Sequence, residues 1–189
     1  MNRRTVLKWL SAALGAVACA FVAIPAVGYF AEFIRRRPAN RALVQRVIRL
    51  RDLPPGRAKM VPIIGSRLDA WTLYPAETVG RVWLVRETDD SVEEAAAKVV
   101  AFTSVCPHLG CQIQLDARGE KFVCLCHRAA FNFDGSPVSE QELGHRIHAP
   151  RPMDTLDCVV VRDESSGEWW VEVKYQRFVQ GLTRRVVKT

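Results

Sequence analysis

The chain has 189 residues, 49% hydrophobic and 25% charged, with a net charge of +7. That length accommodates one domain of ordinary size plus an appendage. Residues 1 to 41 carry +6 of the charge, with seven Arg or Lys against Glu32, and the remainder sums to +1, so a nucleic-acid-binding surface is excluded and the charge is read as headgroup contacts beside an apolar run.

In chain order, Asn2-Arg3-Arg4-Thr5-Val6-Leu7-Lys8 comes first and resembles a twin-arginine export signal, with Val6 where Phe is common. From Trp9 to Ala31 there are 23 consecutive residues without charge. At about 1.5 Å per residue such a helix crosses a hydrocarbon core of about 30 Å. It also exceeds the apolar core of a cleaved signal peptide, and no small-x-small site followed by polar sequence closes it. Residues 1–34 are therefore expected to be a signal that stays on as a single-pass anchor, with Cys19 a small buried residue inside it. Residues 35–43, with the basic cluster Arg35 to Arg37, Pro38 and Arg41, read as a linker, and 44–189 as the folded domain.

Within that domain Val44 to Leu50 has a mixed apolar pattern and Asp52-Leu53-Pro54-Pro55-Gly56 is a turn signal. Strand-like runs follow at Met60 to Ile64, Arg81 to Arg86, Val99 to Thr103, Lys121 to Leu125, Cys158 to Arg162 and Trp169 to Tyr175. Turns such as Asp116-Ala117-Arg118-Gly119 and Ser165-Ser166-Gly167 separate them, which predicts an all-β sandwich or barrel-like domain. Ser91 to Lys98 is the single helix-like stretch. At least one of Trp169 and Trp170 is expected to pack inward. After Glu172 the basic residues Lys174, Arg177, Arg184, Arg185 and Lys188 face no acid; they suit a solvated tail or a docking surface for lipid or a partner subunit.

Two boxes carry the chemistry. Cys106-Pro107-His108-Leu109-Gly110-Cys111 and Cys124-Leu125-Cys126-His127 place four of the six cysteines and two of the four histidines within 22 residues. Zinc accepts two thiolates and two imidazoles in a tetrahedron, so a structural zinc module is one reading. Two cysteines on one iron and two histidines on the other define a second, a [2Fe–2S] centre. Zinc leaves the second cysteine of each box without a purpose.

Both boxes resemble those of the Rieske iron–sulfur proteins, Cys-x-His-x-Gly-Cys followed by Cys-x-Cys-His, and match at every fixed position. The resemblance is to the membrane-anchored subunit of quinol:cytochrome c oxidoreductases of the cytochrome bc type. It implies a Rieske-type antiparallel β sandwich with an inserted cluster-binding subdomain at about 104–153, preceded by one N-terminal transmembrane helix. It also implies that Cys106 and Cys124 bind the inner iron of one [2Fe–2S] cluster, that His108 and His127 bind the outer iron, and that Cys111 pairs with Cys126. Such a bond would close a loop of 14 intervening residues and contribute about 3 kcal/mol in the chain-entropy model. Gly110 gives the first box freedom to turn, and Ala149-Pro150-Arg151-Pro152 stands where the family has its proline-rich covering loop.

By the same resemblance His127, with His108 beside it, meets the quinol and couples electron to proton, and the partners are a cytochrome b subunit and a c-type cytochrome in a dimeric multi-subunit complex. Pro38 and Ala39 would belong to the hinge on which the soluble head swings. Loop charge by itself puts that head in the cytoplasm. A disulfide argues instead for the periplasmic side of a bacterial cytoplasmic membrane. The chain departs from the family after the second box, where Gly, Ser and a later Tyr are common. Arg128, Ala129 and Phe131 stand there, so both hydroxyl donors to the cluster are missing and a low-potential centre working with menaquinol is expected. The small subunit of an arsenite-oxidase-like molybdenum enzyme is the alternative. His145 and His148 read as surface histidines without a role, and Cys158 as a buried, inert thiol.

Overall fold

The computed structural model describes residues 2–35, 43–69 and 72–188. The chain divides into two compact units, Met1–Ala39 and Asn40–Thr189. The expected hinge at Pro38 and Ala39 lies outside the described residues.

The first unit is one helix, α1 (Arg3–Arg35), in which Ser11 donates to the Leu7 carbonyl at 2.9 Å. Its stretch Arg3–Ala31 is long and apolar enough to cross a membrane by length and composition, which suggests a membrane anchor.

The second unit is built on strands β1 (Leu43–Arg49), β2 (Ala58–Asp69), β3 (Thr72–Arg86), β4 (Val99–Thr103), β8 (Thr155–Arg162) and β9 (Trp169–Tyr175). They form one antiparallel sheet in the order β1-β9-β8-β4-β3-β2. Between β4 and β8 the chain makes a second, small sheet from β5 (Gln114–Leu115), β6 (Phe122–Cys124) and β7 (Ala129–Phe131), then the short helix α2 (Glu140–Leu143). This is the antiparallel β sandwich with an inserted three-strand subdomain that the resemblance implies.

Strand β3 explains how one chain serves two cores. Val82 to Arg86 are all buried, because successive side chains point to opposite faces and both faces are covered. Val82 and Leu84 join Leu50, Ile63, Ala101, Val171 and Val173 in the first core. Trp83 and Val85 face the other way, into a core with Phe102, Phe122 and Phe131 that also contains Cys106 and Cys124. The Trp83 indole spans the two layers, donating from Nε1 to the buried Ile113 carbonyl at 3.1 Å. Each fully buried phenylalanine contributes about 1.5–3 kcal/mol.

Several local expectations change. Ser91 to Lys98 contains only a 3-10 turn at Glu94–Ala96, because none of it is buried by an apolar stripe. Helix α2 has no apolar period either, but Ser139 caps it by accepting from the Glu142 amide at 3.3 Å. Strands β2 and β3 run well beyond their predicted apolar stretches. Their outer halves pair with each other in the open, tied by an Arg67 to Glu77 ion pair at 2.5 Å, so alternating hydrophobicity does not mark them. Trp169 packs against the first core, while Trp170 lies under the Arg49 guanidinium, 5.4 Å from its ring centre.

Candidate metal centre

The first box is a tight loop closed on itself. The Cys106 amide donates to the Cys111 carbonyl at 2.8 Å, and the Gly110 amide to the Cys106 carbonyl at 3.0 Å. Gly110 reaches this geometry at φ +83°, in the left-handed region that a side chain disfavours. The C-terminal segment braces the loop from outside, with the Gly181 amide donating to the Pro107 carbonyl at 2.8 Å.

The second box is the turn between β6 and β7, where Cys124 is the register partner of Ala129. Arg128 sits in that turn at φ +56°, the one non-glycine with positive φ among the described residues. A side chain held in that left-handed conformation costs on the order of 1–2 kcal/mol. A disulfide joins Cys111 to Cys126 with Cα atoms 6.6 Å apart, so the two turns are held side by side.

The sulfurs of Cys111, Cys124 and Cys126 lie within 4.8 Å of one another. Two of these three are bonded to each other, which leaves Cys124 as the thiol of the group. Cys106 and Cys124 are both in the second core, 1% and 2% exposed. Burial, with the neighbouring Cys124 adding to it, pushes the Cys106 thiol up to about 12. A positive centre bound there would reverse that preference, since metal ligation deprotonates a thiol.

His108 and His127 come together above, ring centres 4.6 Å apart and edge to face. Desolvation, then His127 and His148, hold the His108 imidazole below the usual histidine range. The donor set is therefore two buried thiols and two outward imidazoles, with the remaining box cysteines tied to each other. That chemistry fits a [2Fe–2S] centre with sulfur ligands on the inner iron and nitrogen ligands on the outer one.

Ala129 and Phe131 are buried, Phe131 completely. On the paired strands Cys124, Phe122, Ala129 and Phe131 share one face of the small sheet, so positions 129 and 131 lie alongside the thiol without a hydroxyl between them. In the proline-rich segment, Ala149 packs against the second core, Pro150 is half-buried and Pro152 is exposed. Arg151 turns inward. It makes a two-pronged ion pair with buried Asp154, at 2.9 and 2.8 Å, and also donates to the carbonyls of Leu182 and Val179. The loop is thereby fastened to the C-terminal segment.

Both histidines read as bystanders are engaged. The His148 ring stacks on His108 at 5.9 Å and lies 6.1 Å from His127, making a third imidazole at the tip. His145 is wedged between the carbonyls of Leu143 and Arg128, with a ring nitrogen 2.9 Å from each. Their spacing next to the Pro-rich segment was the available signal. Leu109 and Leu125 are 65% and 70% exposed, and no sequence signal marks them, since each lies inside a box as an unspecified position. Cys158 is half-buried and donates to the Val99 carbonyl at 3.0 Å; burial pushes its thiol up to about 11, which keeps it unreactive. Cys19 is a free thiol on α1.

Residues 44–151 match a protein-family model described as the Rieske [2Fe-2S] domain. Among curated relatives, the cytochrome b6-f complex iron-sulfur subunit of Prochlorococcus marinus is 27% identical over 94 residues, covering 50% of this chain and 46% of the relative. The subunit of the same description from Chlorobaculum tepidum is 23% identical over 138 residues, covering 73% and 63%. The match thus spans less than two thirds of either relative's length. Among solved structures, the cyanobacterial plasma membrane Rieske protein from Synechocystis is 25% identical, with 49% of this chain and 76% of that chain covered at a TM-score of 0.34.

Proposed function

The chain belongs to the Rieske [2Fe–2S] family, and from that premise we propose that it is the iron–sulfur subunit of a cytochrome bc-type complex, oxidising quinol and passing electrons to a c-type cytochrome. Cys106 and Cys124 would hold the inner iron, and His108 and His127 the outer iron. When bound, the cluster supplies a one-electron acceptor whose potential is raised by having neutral imidazoles in place of two thiolates.

The observation that carries this reading is the tip. The rings of His108 and His127 are paired, and Leu109 and Leu125 of the same two boxes expose their side chains. A quinol is an apolar molecule with hydroxyl ends, and this tip offers imidazole nitrogens framed by apolar surface. His127, the more exposed of the two, accepts a hydrogen bond from the quinol hydroxyl, and the leucines pack against a cytochrome b subunit that completes the pocket. The disulfide keeps the two turns in register, and Gly110 lets the first box curve beneath its histidine.

The curated relatives are cytochrome b6-f subunits, which favours this reading over the arsenite-oxidase-like alternative, and the family's cluster displaces the zinc module. Helix α1 would anchor the subunit in a bacterial cytoplasmic membrane after twin-arginine export, with residues 35–43 as hinge and the domain on the periplasmic side, where a disulfide persists. Without hydroxyls at positions 129 and 131 the centre is a low-potential one, suited to menaquinol.

An EPR-monitored redox titration of the exported protein tests the core of the proposal. A reduced-state signal of the mixed Cys/His type is expected, with turnover of quinol and cytochrome c in membranes that hold the cytochrome b partner. A colourless protein that retains zinc would overturn it.

A further inference from the structure

Away from the tip, between β3 and the C-terminal segment, is an open cavity of about 280 Å³. Five of its lining groups define its chemistry. Arg81, Arg177 and Lys188 bring three positive charges to its mouth, and Tyr175 and Ser104 bring hydroxyls to its wall. Two strands and a tail assemble them: the Lys188 amide donates to the Arg177 carbonyl at 2.8 Å, and the Arg177 guanidinium donates to the Val79 carbonyl at 2.8 Å. Arg81, Arg177 and Lys188 enter none of the ion pairs among the described residues. The one carboxylate in the lining, Asp154, is neutralised by its pairing with Arg151.

The hydroxyls are what single this cavity out from a basic surface. Tyr175 is 7% exposed and Ser104 4%, yet neither side-chain oxygen has a hydrogen-bond partner among the described residues. Neither oxygen is sealed inside the protein, so both remain open to an occupant of the cavity. The phenol is held in position by close packing, since its ring lies so near Gly80 that a Cβ there would overlap it. Two O–H donors aimed into a cavity rimmed by guanidinium and ammonium groups match a tetrahedral oxyanion.

We propose that this cavity binds a phosphate group, the Tyr175 and Ser104 hydroxyls donating to its oxygens while Arg81, Arg177 and Lys188 balance its charge. The phosphate comes either as the free ion or on an anionic lipid headgroup. Gly110 of the first box lines the same cavity, so an occupant is felt at the base of the loop that carries His108.

The test uses the full chain, loaded with its cluster, in neutral detergent micelles. It is titrated with inorganic phosphate and, separately, with soluble short-chain phosphatidylglycerol, while binding heat and the amide resonances of Gly80 and Gly181 are followed. Saturable binding is expected. Tyr175→Phe keeps the packing and removes one charge-assisted hydrogen bond, so it should weaken binding about 10-fold or more. Arg81→Gln combined with Lys188→Gln should do the same with a reduced salt dependence, and Arg184→Gln, outside the cavity, should change nothing. Saturation by inorganic phosphate supports the free ion as ligand; saturation by the lipid alone, with the same variant pattern, supports the headgroup. No saturable binding of either, or equal affinity of wild type and Tyr175→Phe, overturns the proposal.

Discussion

Phe131→Tyr returns a hydroxyl to the second core, and the structure allows its consequence to be worked out. Phe131 is fully buried on the same face of the small sheet as Cys124, with Ala129, the register partner of Cys124, between them. The hydrophobic residues packed around it are aromatic, aliphatic and sulfur-bearing, Cys124 and Cys106 among them. The new O–H is expected to donate toward the cluster sulfur on the Cys124 side. A hydrogen bond to a charged group is worth about 1.5–3 kcal/mol. If about half of that distinguishes the reduced from the oxidised centre, the midpoint rises on the order of 50 mV, since roughly 1.4 kcal/mol corresponds to about 59 mV for one electron. Ala129→Ser adds a second donor beside Cys124, and the two together should raise the midpoint on the order of 100 mV. An EPR-monitored redox titration reads the shift, and thermal melts of the loaded protein read stability. An unchanged midpoint with a loaded form destabilised by about 1–3 kcal/mol would mean an unpaired hydroxyl and would refute the assignment of these positions as cluster neighbours.

Arg128→Gly relieves the left-handed backbone at φ +56° and should stabilise the domain by about 1 kcal/mol in denaturant melts. Asp154→Ala strands the buried Arg151 guanidinium and should cost about 3–5 kcal/mol by the same assay. Replacing both Cys111 and Cys126 by Ser should cost about 3 kcal/mol and hasten loss of the visible absorbance on dilution, because the loop between them is no longer closed. The Ser165 hydroxyl, then the backbone amides of Ser166 and Ser165 and the Arg46 charge, hold the Asp163 carboxyl well below the usual carboxylate range. A depressed folded value means stability that is present above pH of about 4 and fades as pH falls below it. Asp163→Asn should therefore melt lower than wild type at neutral pH, with the gap closing in acid.

What the linear order determined is local. Cys-x-His and Cys-x-Cys-His spacings, an uncharged run of 23 residues and the alternating apolar strands around Arg81 to Arg86 and Val99 to Thr103 are written within a few turns of chain, so the family, the cluster and the core strands were legible from them. The missing hydroxyls at Ala129 and Phe131 were legible for the same reason.

Tertiary structure alone decided whatever joins distant segments. His148 reaches the tip because the covering loop folds back over a box some 40 residues earlier, and nothing in its own neighbourhood predicts a stack on His108. Arg151 looks like a surface charge between two prolines until Asp154 and the carbonyls of Val179 and Leu182 enclose it. The long outer halves of β2 and β3 are held by pairing to each other rather than by burial, so they carry no hydrophobic period to read. The basic tail was visible as charge, but its meaning depends on the sheet order that sets Arg177 and Lys188 opposite Arg81 around two unpartnered hydroxyls. Spacing along a chain specifies which donors a loop can offer a metal; only packing across the sheet specifies which far residues surround them, because the energy that brings those residues together is the burial of both cores rather than any property of the residues themselves.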